Sequence, residues 1–195
     1  MLAGADGNVS YRISNDEIVI TPSGISKARM SEDDFCIINI DGEILHGKPS
    51  SERLMHLQIY HSCPSAKAVI HAHPPHAIAW TLANTSMSEL PSKSLPEIIL
   101  AAGKIPFVQY ARTGTQAMGD VLIPYLPNQR SFILKNHGAV TWGESLDEAL
   151  LGMERVEHTA HILYLAKNMG EISELPKEEI QALHEKRKTI GSKLL

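Results

Sequence analysis

Apolar and polar positions along the chain follow two periods. In the first part, short runs alternate with period two and are broken by Gly, Pro, Asn and Asp, as strands and turns are. Residues 10–13 and 17–21 are two such runs, flanking a turn at Ser14-Asn15-Asp16, and Thr21-Pro22-Ser23-Gly24 turns the chain again. A helix start is read at Ser31-Glu32-Asp33-Asp34, followed by a strand over 36–40, the turn Asp41-Gly42 and a hairpin partner over 43–46. Gly47-Lys48-Pro49-Ser50-Ser51-Glu52 is a loop feeding a helix, with Ser50 or Ser51 as its cap and Leu54, Leu57, Ile59 and Tyr60 as apolar positions. The strongest strand is 66–73, stopped by Pro74-Pro75. Helices are then predicted over 76–84, 96–102, 115–126 and 145–169, the last closed by Gly170, with strands at 107–110, 131–136 and 139–142 and a charged helical tail over 176–195. Strand pairs on short turns, followed by alternating helices, predict an α/β sandwich with a largely antiparallel sheet. No repeat or linker divides the chain, so 1–195 is read as a single domain.

Composition narrows the class. Of 195 residues, 43% are hydrophobic and 21% charged, which excludes a disordered chain, a collagen and a disulfide scaffold. Lys plus Arg is 18 against 22 for Asp plus Glu, a net charge of −4, which gives no reason to expect nucleic acid or a membrane as partner. Cys36 and Cys63 cannot build a thiolate zinc site and read as reduced core thiols. No run approaches the roughly 18 apolar residues of a membrane span. The segment Met1-Leu2-Ala3-Gly4-Ala5-Asp6-Gly7 lacks the basic and apolar regions of a signal peptide, so the cytoplasm is the expected location.

The histidines add chemistry. There are 10, as many as Phe, Trp and Tyr together. His71 and His73 are two apart on the strongest strand and so share a face, as a metal-binding pair or as hydrogen-bonded core residues. His137, in Asn136-His137-Gly138, ends another strand beside a glycine that permits a tight backbone. Three neutral imidazoles with one open position form a frequent catalytic zinc set, and neutral ligands leave the full charge available to polarise substrate oxygens. Pro49-Ser50-Ser51-Glu52 opens a helix, where hydroxyls and free amides bind phosphate well. Gly7-Asn8-Val9-Ser10 and Thr21-Pro22-Ser23-Gly24 also set a small polar side chain beside a glycine. Singly these are turns and caps; beside the histidines they suggest a phosphate pocket next to a metal. His76 could support that metal from outside. His158 and His161, with Glu154 and Glu157, read as a polar stripe on the long helix, and His46, His56, His61 and His184 have no identifiable partner.

Gly-Asn-Val-Ser at 7–10, Thr-Pro-Ser-Gly at 21–24, Pro-Ser-Ser-Glu at 49–52, His-Ala-His at 71–73 and Asn-His-Gly at 136–138 stand in the order seen in class II aldolase/adducin-like proteins, and the chain resembles the fuculose-phosphate aldolase branch most. The resemblance implies a three-layer α/β/α sandwich around a central, mainly antiparallel sheet, and a homotetramer with active sites at subunit interfaces. It implies zinc on His71, His73 and His137, with manganese or cobalt as alternatives. Glu52 would be both a ligand of the resting metal and the general base, and Asn8, Ser23, Gly24, Ser50 and Ser51 would bind the phosphate of a phosphorylated sugar. The implied reaction is reversible cleavage of a ketose 1-phosphate to dihydroxyacetone phosphate and an aldehyde.

The chain departs from that pattern twice. The family's first helix, before Gly-Asn-Val-Ser, is expected to be missing. Glu97, in Leu95-Pro96-Glu97, falls where the aldolases carry a tyrosine that handles the C4 hydroxyl proton. A catalytic Glu97 would also suit a methylthioribulose-phosphate dehydratase or a ribulose-phosphate 4-epimerase of the same superfamily; otherwise Glu97 is a helix N-terminal charge. A non-catalytic adducin-like scaffold is the remaining alternative, weighed against by the presence of all three histidines and Glu52.

Overall fold

One eight-stranded sheet organises the computed structural model, which describes residues 4–83 and 86–194. Its strands are β1 (Asn8–Arg12), β2 (Glu17–Ile20), β3 (Cys36–Asn39), β4 (Ile44–His46), β5 (Ala68–Ala72), β6 (Phe107–Val108), β7 (Ser131–Leu134) and β8 (Gly138–Gly143), in the spatial order β4-β3-β2-β1-β5-β8-β7-β6. Every neighbouring pair is antiparallel except β6 with β7, so the mainly antiparallel sheet expected from the turns is present. The β1–β2 turn is tied by Ser14, whose Oγ accepts from the N–H groups of Asp16 and Glu17. Gly42, at φ 91°, makes the β3–β4 turn.

Alternation along the strands gives the sheet two apolar faces, and helices cover both. Ile18, Ile20, Ile38, Val69, Phe132, Val140 and Trp142 point to one face, where α1 (Arg53–Ser62) and α4 (Ala117–Asp120) pack. Ala68, Ile70, Ile133 and Ala139 point to the other, against α2 (Pro75–Ala83), α3 (Pro96–Ala101) and α5 (Leu146–Met169). The tail helix α6 (Lys177–Ile190) docks on α3, where Arg187 donates to the Leu100 carbonyl at 2.7 Å. The result is the α/β/α sandwich. Cys36 and Cys63 are free and buried in its core. No helix among the described residues is long and apolar enough to cross a membrane.

Some boundaries move. β1 starts at Asn8 rather than at residue 10. The helix expected over 115–126 is helical only over Ala117–Asp120 and continues as turns, because Gly119 is a poor helix former and Pro124 disfavours the helical conformation at Ile123. The edge strand β6 keeps two residues, with Gln109 and Tyr110 exposed beyond it. Asn84 and Leu195, the expected ends of two helices, lie outside the described residues.

Candidate metal centre and substrate site

Sheet register assembles the centre of the site. Pairing of β1 with β5 sets Asn8 opposite His71, and pairing of β5 with β8 sets His71 opposite Val140. His73 follows just past the end of β5. His137 lies in the turn between β7 and β8 instead of ending a strand, after Asn136, whose φ of 60° is the left-handed conformation a short hairpin loop uses. Gly138 lets that turn lie against β5: a Cβ there would meet the Ala72 carbonyl oxygen at 2.5 Å, His71 Cε1 at 2.8 Å and His73 Cδ2 at 2.9 Å.

The three imidazoles have ring centroids 4.8–5.1 Å apart and offer nitrogens that all lie within 4.8 Å of one another. Two of the rings have their outer nitrogen engaged: His71 Nδ1 is 2.8 Å from the Ala139 carbonyl oxygen and His73 Nδ1 is 3.3 Å from Asp6 Oδ2. A carbonyl only accepts, so His71 carries its proton on Nδ1 and turns a lone pair on Nε2 inward, and a His73 that directs its Nδ1 proton at the Asp6 carboxylate does the same. Those two Nε2 atoms are 3.1 Å apart, close to the ~3.3 Å of two nitrogens bound to one tetrahedral ion. Lone pairs facing each other at this spacing repel until a cation or a proton sits between them.

Glu52, the N-cap residue of α1, reaches between the rings, with Oε2 3.3 Å from His71 Nε2 and Oε1 3.2 Å from His137 Nε2. Burial alone would raise its pKa. The hydrogen bond from His137, the charge His71 takes on in acid and the N–H of Asn8 outweigh burial and hold it at about 2. Desolvation, opposed by Glu52, holds His71 down at about 4, so at neutral pH this ring is uncharged. A divalent cation would supply the positive partner that a neutral His71 does not. The donor set therefore fits a metal ion: His71, His73 and His137 could hold it, with Glu52 as a fourth ligand.

Behind Glu52 runs a chain of hydrogen bonds. Asn8 Nδ2 donates to Glu52 Oε2 at 2.8 Å, and Asn8 Oδ1 lies 2.5 Å from His56 Nε2. His56 Nδ1 lies 2.7 Å from Ser10 Oγ, which is 2.9 Å from the Tyr60 hydroxyl. His56 is fully buried, and desolvation lowers its pKa to about 3. This histidine, without an identifiable partner in the sequence, thus has two. The signal was there in the spacing: Glu52, His56 and Tyr60 are four apart on one helix face, and Asn8 and Ser10 two apart on one strand face.

The serine loops lie side by side. Pro22 and Pro49 form a bridge, Ser23 N–H donates to the Lys48 carbonyl at 3.0 Å and Ser50 N–H to the Thr21 carbonyl at 3.2 Å. The turn holding Ser23 and Gly24 therefore neighbours the loop holding Ser50 and Ser51, which leads directly into Glu52. Neither serine is the cap: Glu52 is, and buried Ser50 Oγ accepts its N–H at 3.2 Å, leaving Ser51 exposed. Two further residues were missed in the sequence. Asp6 meets His73, and Lys27 Nζ donates to the Ala5 carbonyl at 2.7 Å, tying down the segment that carries Asp6.

Glu97 is not brought to the histidines within one chain. It is exposed in the first turn of α3 and lines a cavity of about 660 Å³ against α5, with Glu154, Arg155 and His158. His76, expected to support the metal, instead pairs with Glu157 at 2.7 Å and stacks on His161 at 4.1 Å. Glu157 also accepts the N–H groups of His76 and Ala77, so it closes the start of α2.

Sheet, histidine cluster and carboxylate define a class, and comparison with known proteins agrees. The chain belongs to the class II aldolase and adducin family: the profile of the Class II Aldolase and Adducin N-terminal domain matches residues 1–164. The L-fuculose phosphate aldolase of Methanococcus maripaludis (strain C5) is 35% identical over 170 residues, covering 87% of this chain and 90% of that protein. The 3-oxo-tetronate 4-phosphate decarboxylase of Escherichia coli (strain K12) is 32% identical over 185 residues, covering 88% and 85%. A solved L-fuculose 1-phosphate aldolase superposes with a TM-score of 0.83 at 34% identity, over 95% of this chain and 87% of that one.

Proposed function

We propose that the protein is a metal-dependent aldolase that reversibly cleaves a ketose 1-phosphate, of the fuculose 1-phosphate kind, to dihydroxyacetone phosphate and an aldehyde. The observation that carries this reading is the Glu52 carboxylate set between His71 and His137, in contact with both. Zinc, or manganese or cobalt, would when bound supply the positive charge that polarises the substrate carbonyl and its neighbouring hydroxyl. The chain's own residues do the rest. Ser23, Gly24, Ser50, Ser51 and the second N–H of Asn8 bind the phosphate, mostly through hydroxyls and amides near the start of α1. Glu52 takes the proton from the carbon of dihydroxyacetone phosphate that becomes nucleophilic, and returns it to that carbon in cleavage. Glu97 carries the C4 hydroxyl proton, entering from a neighbouring copy in a homotetramer, because within its own chain it faces α5 instead. The substrate is a phosphorylated sugar, with no nucleic-acid or membrane partner, and the setting is the cytoplasm.

The second reading is decarboxylation of a 3-oxo acid phosphate, favoured by the 32% identical relative. Both reactions break a bond to carbon and leave the electron pair beside a carbonyl, so products separate them. Fuculose, ribulose and 5-deoxyribulose 1-phosphates with added zinc should release dihydroxyacetone phosphate to a coupled dehydrogenase. Carbon dioxide from a 3-oxo-tetronate 4-phosphate, with no cleavage of the ketoses, supports the second reading instead. A phosphorylated diketone would mean dehydration and a 4-epimer epimerisation, while a protein that binds no metal would be a scaffold. Glu52→Gln should lower turnover about 100-fold or more while keeping bound metal; near-normal turnover removes Glu52 from the role of base.

A further inference from the structure

The hydrogen-bond chain behind Glu52 has a direction, and the direction matters for the carboxylate. We propose that His56 is a positioning residue: it fixes the Asn8 amide so that the N–H side faces Glu52. This rests on Glu52 being the base.

An asparagine amide has one accepting end and one donating end. With Nδ2 toward Glu52 at 2.8 Å, Oδ1 is left toward His56 Nε2. That oxygen needs a donor, so His56 carries its proton on Nε2 and its Nδ1 accepts. The group within reach of Nδ1 is the Ser10 hydroxyl, which donates to it and in turn accepts from the Tyr60 hydroxyl. The donors thus point from Tyr60 through Ser10, His56 and Asn8 to Glu52. The reverse direction would turn Asn8 Oδ1 onto the carboxylate, oxygen against oxygen. His56 has no exposed surface, and an apolar residue there would bury no polar group at all. What the polar chain secures is at its end: a carboxylate held at Oε2 by a neutral donor, so that its other oxygen is turned to His137 and the space between the rings.

His56→Leu removes the donor to Asn8, and His56→Gln keeps an N–H at about the same reach. The measured reaction is exchange of the proton on the nucleophilic carbon of dihydroxyacetone phosphate with solvent, in metal-loaded protein, alongside full turnover. Expected for His56→Leu is a loss of about 10–100-fold in exchange and kcat. Bound metal should stay within about two-fold, and the KM for the ketose phosphate and inhibition by inorganic phosphate should weaken by much less than the rate, because Asn8 is one of five groups on the phosphate while Glu52 is the base. His56→Gln should recover most of the rate. The proposal is overturned if His56→Leu exchanges at the native rate, if Gln restores nothing, or if KM rises and metal content falls in step with the loss of kcat. Should the Leu variant fail to fold, Ser10→Ala removes the group that sets the proton of His56, and a native exchange rate there overturns the proposal equally. A fully active Glu52→Gln would instead remove the base; an inactive Glu52→Gln beside an active His56→Leu removes only the positioning.

Discussion

The candidate metal centre has two unlike sides. On the inner side, His71 and Glu52 are placed by strand register and a helix start, with side-chain exposures of 0% and 12%, and the acceptor on His71 is a backbone carbonyl of the neighbouring strand. On the outer side, His73 lies past its strand end, 26% exposed, and its acceptor is the side chain of Asp6, 48% exposed on a segment tied by Lys27. The inner side is anchored in the sheet and at a helix start, so the placement of His71 changes only if backbone moves. The outer side hangs on one carboxylate, and its strength can be tuned by one substitution. A site built this way would separate where a metal goes from how tightly it is held.

The largest effect should come from moving the inner backbone. A methyl group at position 138 would lie 2.5 Å from the Ala72 carbonyl oxygen, closer than the two can approach, so the β7–β8 turn must lift and carry His137 off His71 and His73. Gly138→Ala should weaken zinc binding by at least about 100-fold, more than an outer partner is worth, and cost about 1–3 kcal/mol of stability as overpacking does. Calorimetric zinc titration and urea unfolding of the metal-free protein measure the two. Native zinc affinity in this variant would show that the turn is not what sets the cluster.

Acid should find the inner side next. His56 and His71 are held at about 3 and about 4 by burial, while an unfolded chain protonates both near 6.5. Between those values the unfolded state binds more protons, so stability present above about pH 6.5 is lost as the pH falls towards 4 and then 3. Glu52 acts in the same sense: held at about 2 against an ordinary 4.5, it contributes stability that is lost between those values. Each extra proton taken up by the unfolded chain lowers stability by up to about 1.4 kcal/mol per pH unit. In metal-free protein the urea midpoint should drop between pH 7 and 4.5, and His56→Gln should flatten that slope. Equal slopes would mean that His56 is not held neutral by the fold.

The inner side was also the more legible in sequence. His71 and Glu52 stand in local patterns, an alternating strand and a serine-rich helix start, whose geometry is periodic and so can be read without the fold. The same periods contained Asn8 with Ser10, and Glu52 with His56 and Tyr60. What they could not give was that these two rows face each other, because that depends on β1 lying beside β5 over α1. Asp6 and Lys27 carry no pattern: both lie outside the strands, and their contacts, Asp6 with His73 and Lys27 with the Ala5 carbonyl, join segments that no local period relates. The helix over 115–126 looked continuous by its apolar spacing, but Gly119 and Pro124 overrode that period. Glu97 could be aligned but not placed, since its surroundings within one chain are α5 and a cavity.

The smallest expected effect tests the outer side. A carboxylate on Nδ1–H draws that proton toward itself and makes the opposite nitrogen a stronger donor to a metal, which a neutral amide does less. Asp6→Asn keeps the size and an accepting oxygen while removing the charge, so the ring should still point inward. Zinc affinity, measured by competition with a chelator of known strength, should drop about 10-fold, the low end of the range for such partners. Because Asp6 is half exposed, the metal-free stability should change by no more than about 0.5 kcal/mol. An affinity loss without a stability loss separates tuning from building. If Asp6→Asn instead costs as much affinity as Gly138→Ala, the two sides are not distinct, and His73 is positioned by its carboxylate as fully as His137 is by its turn.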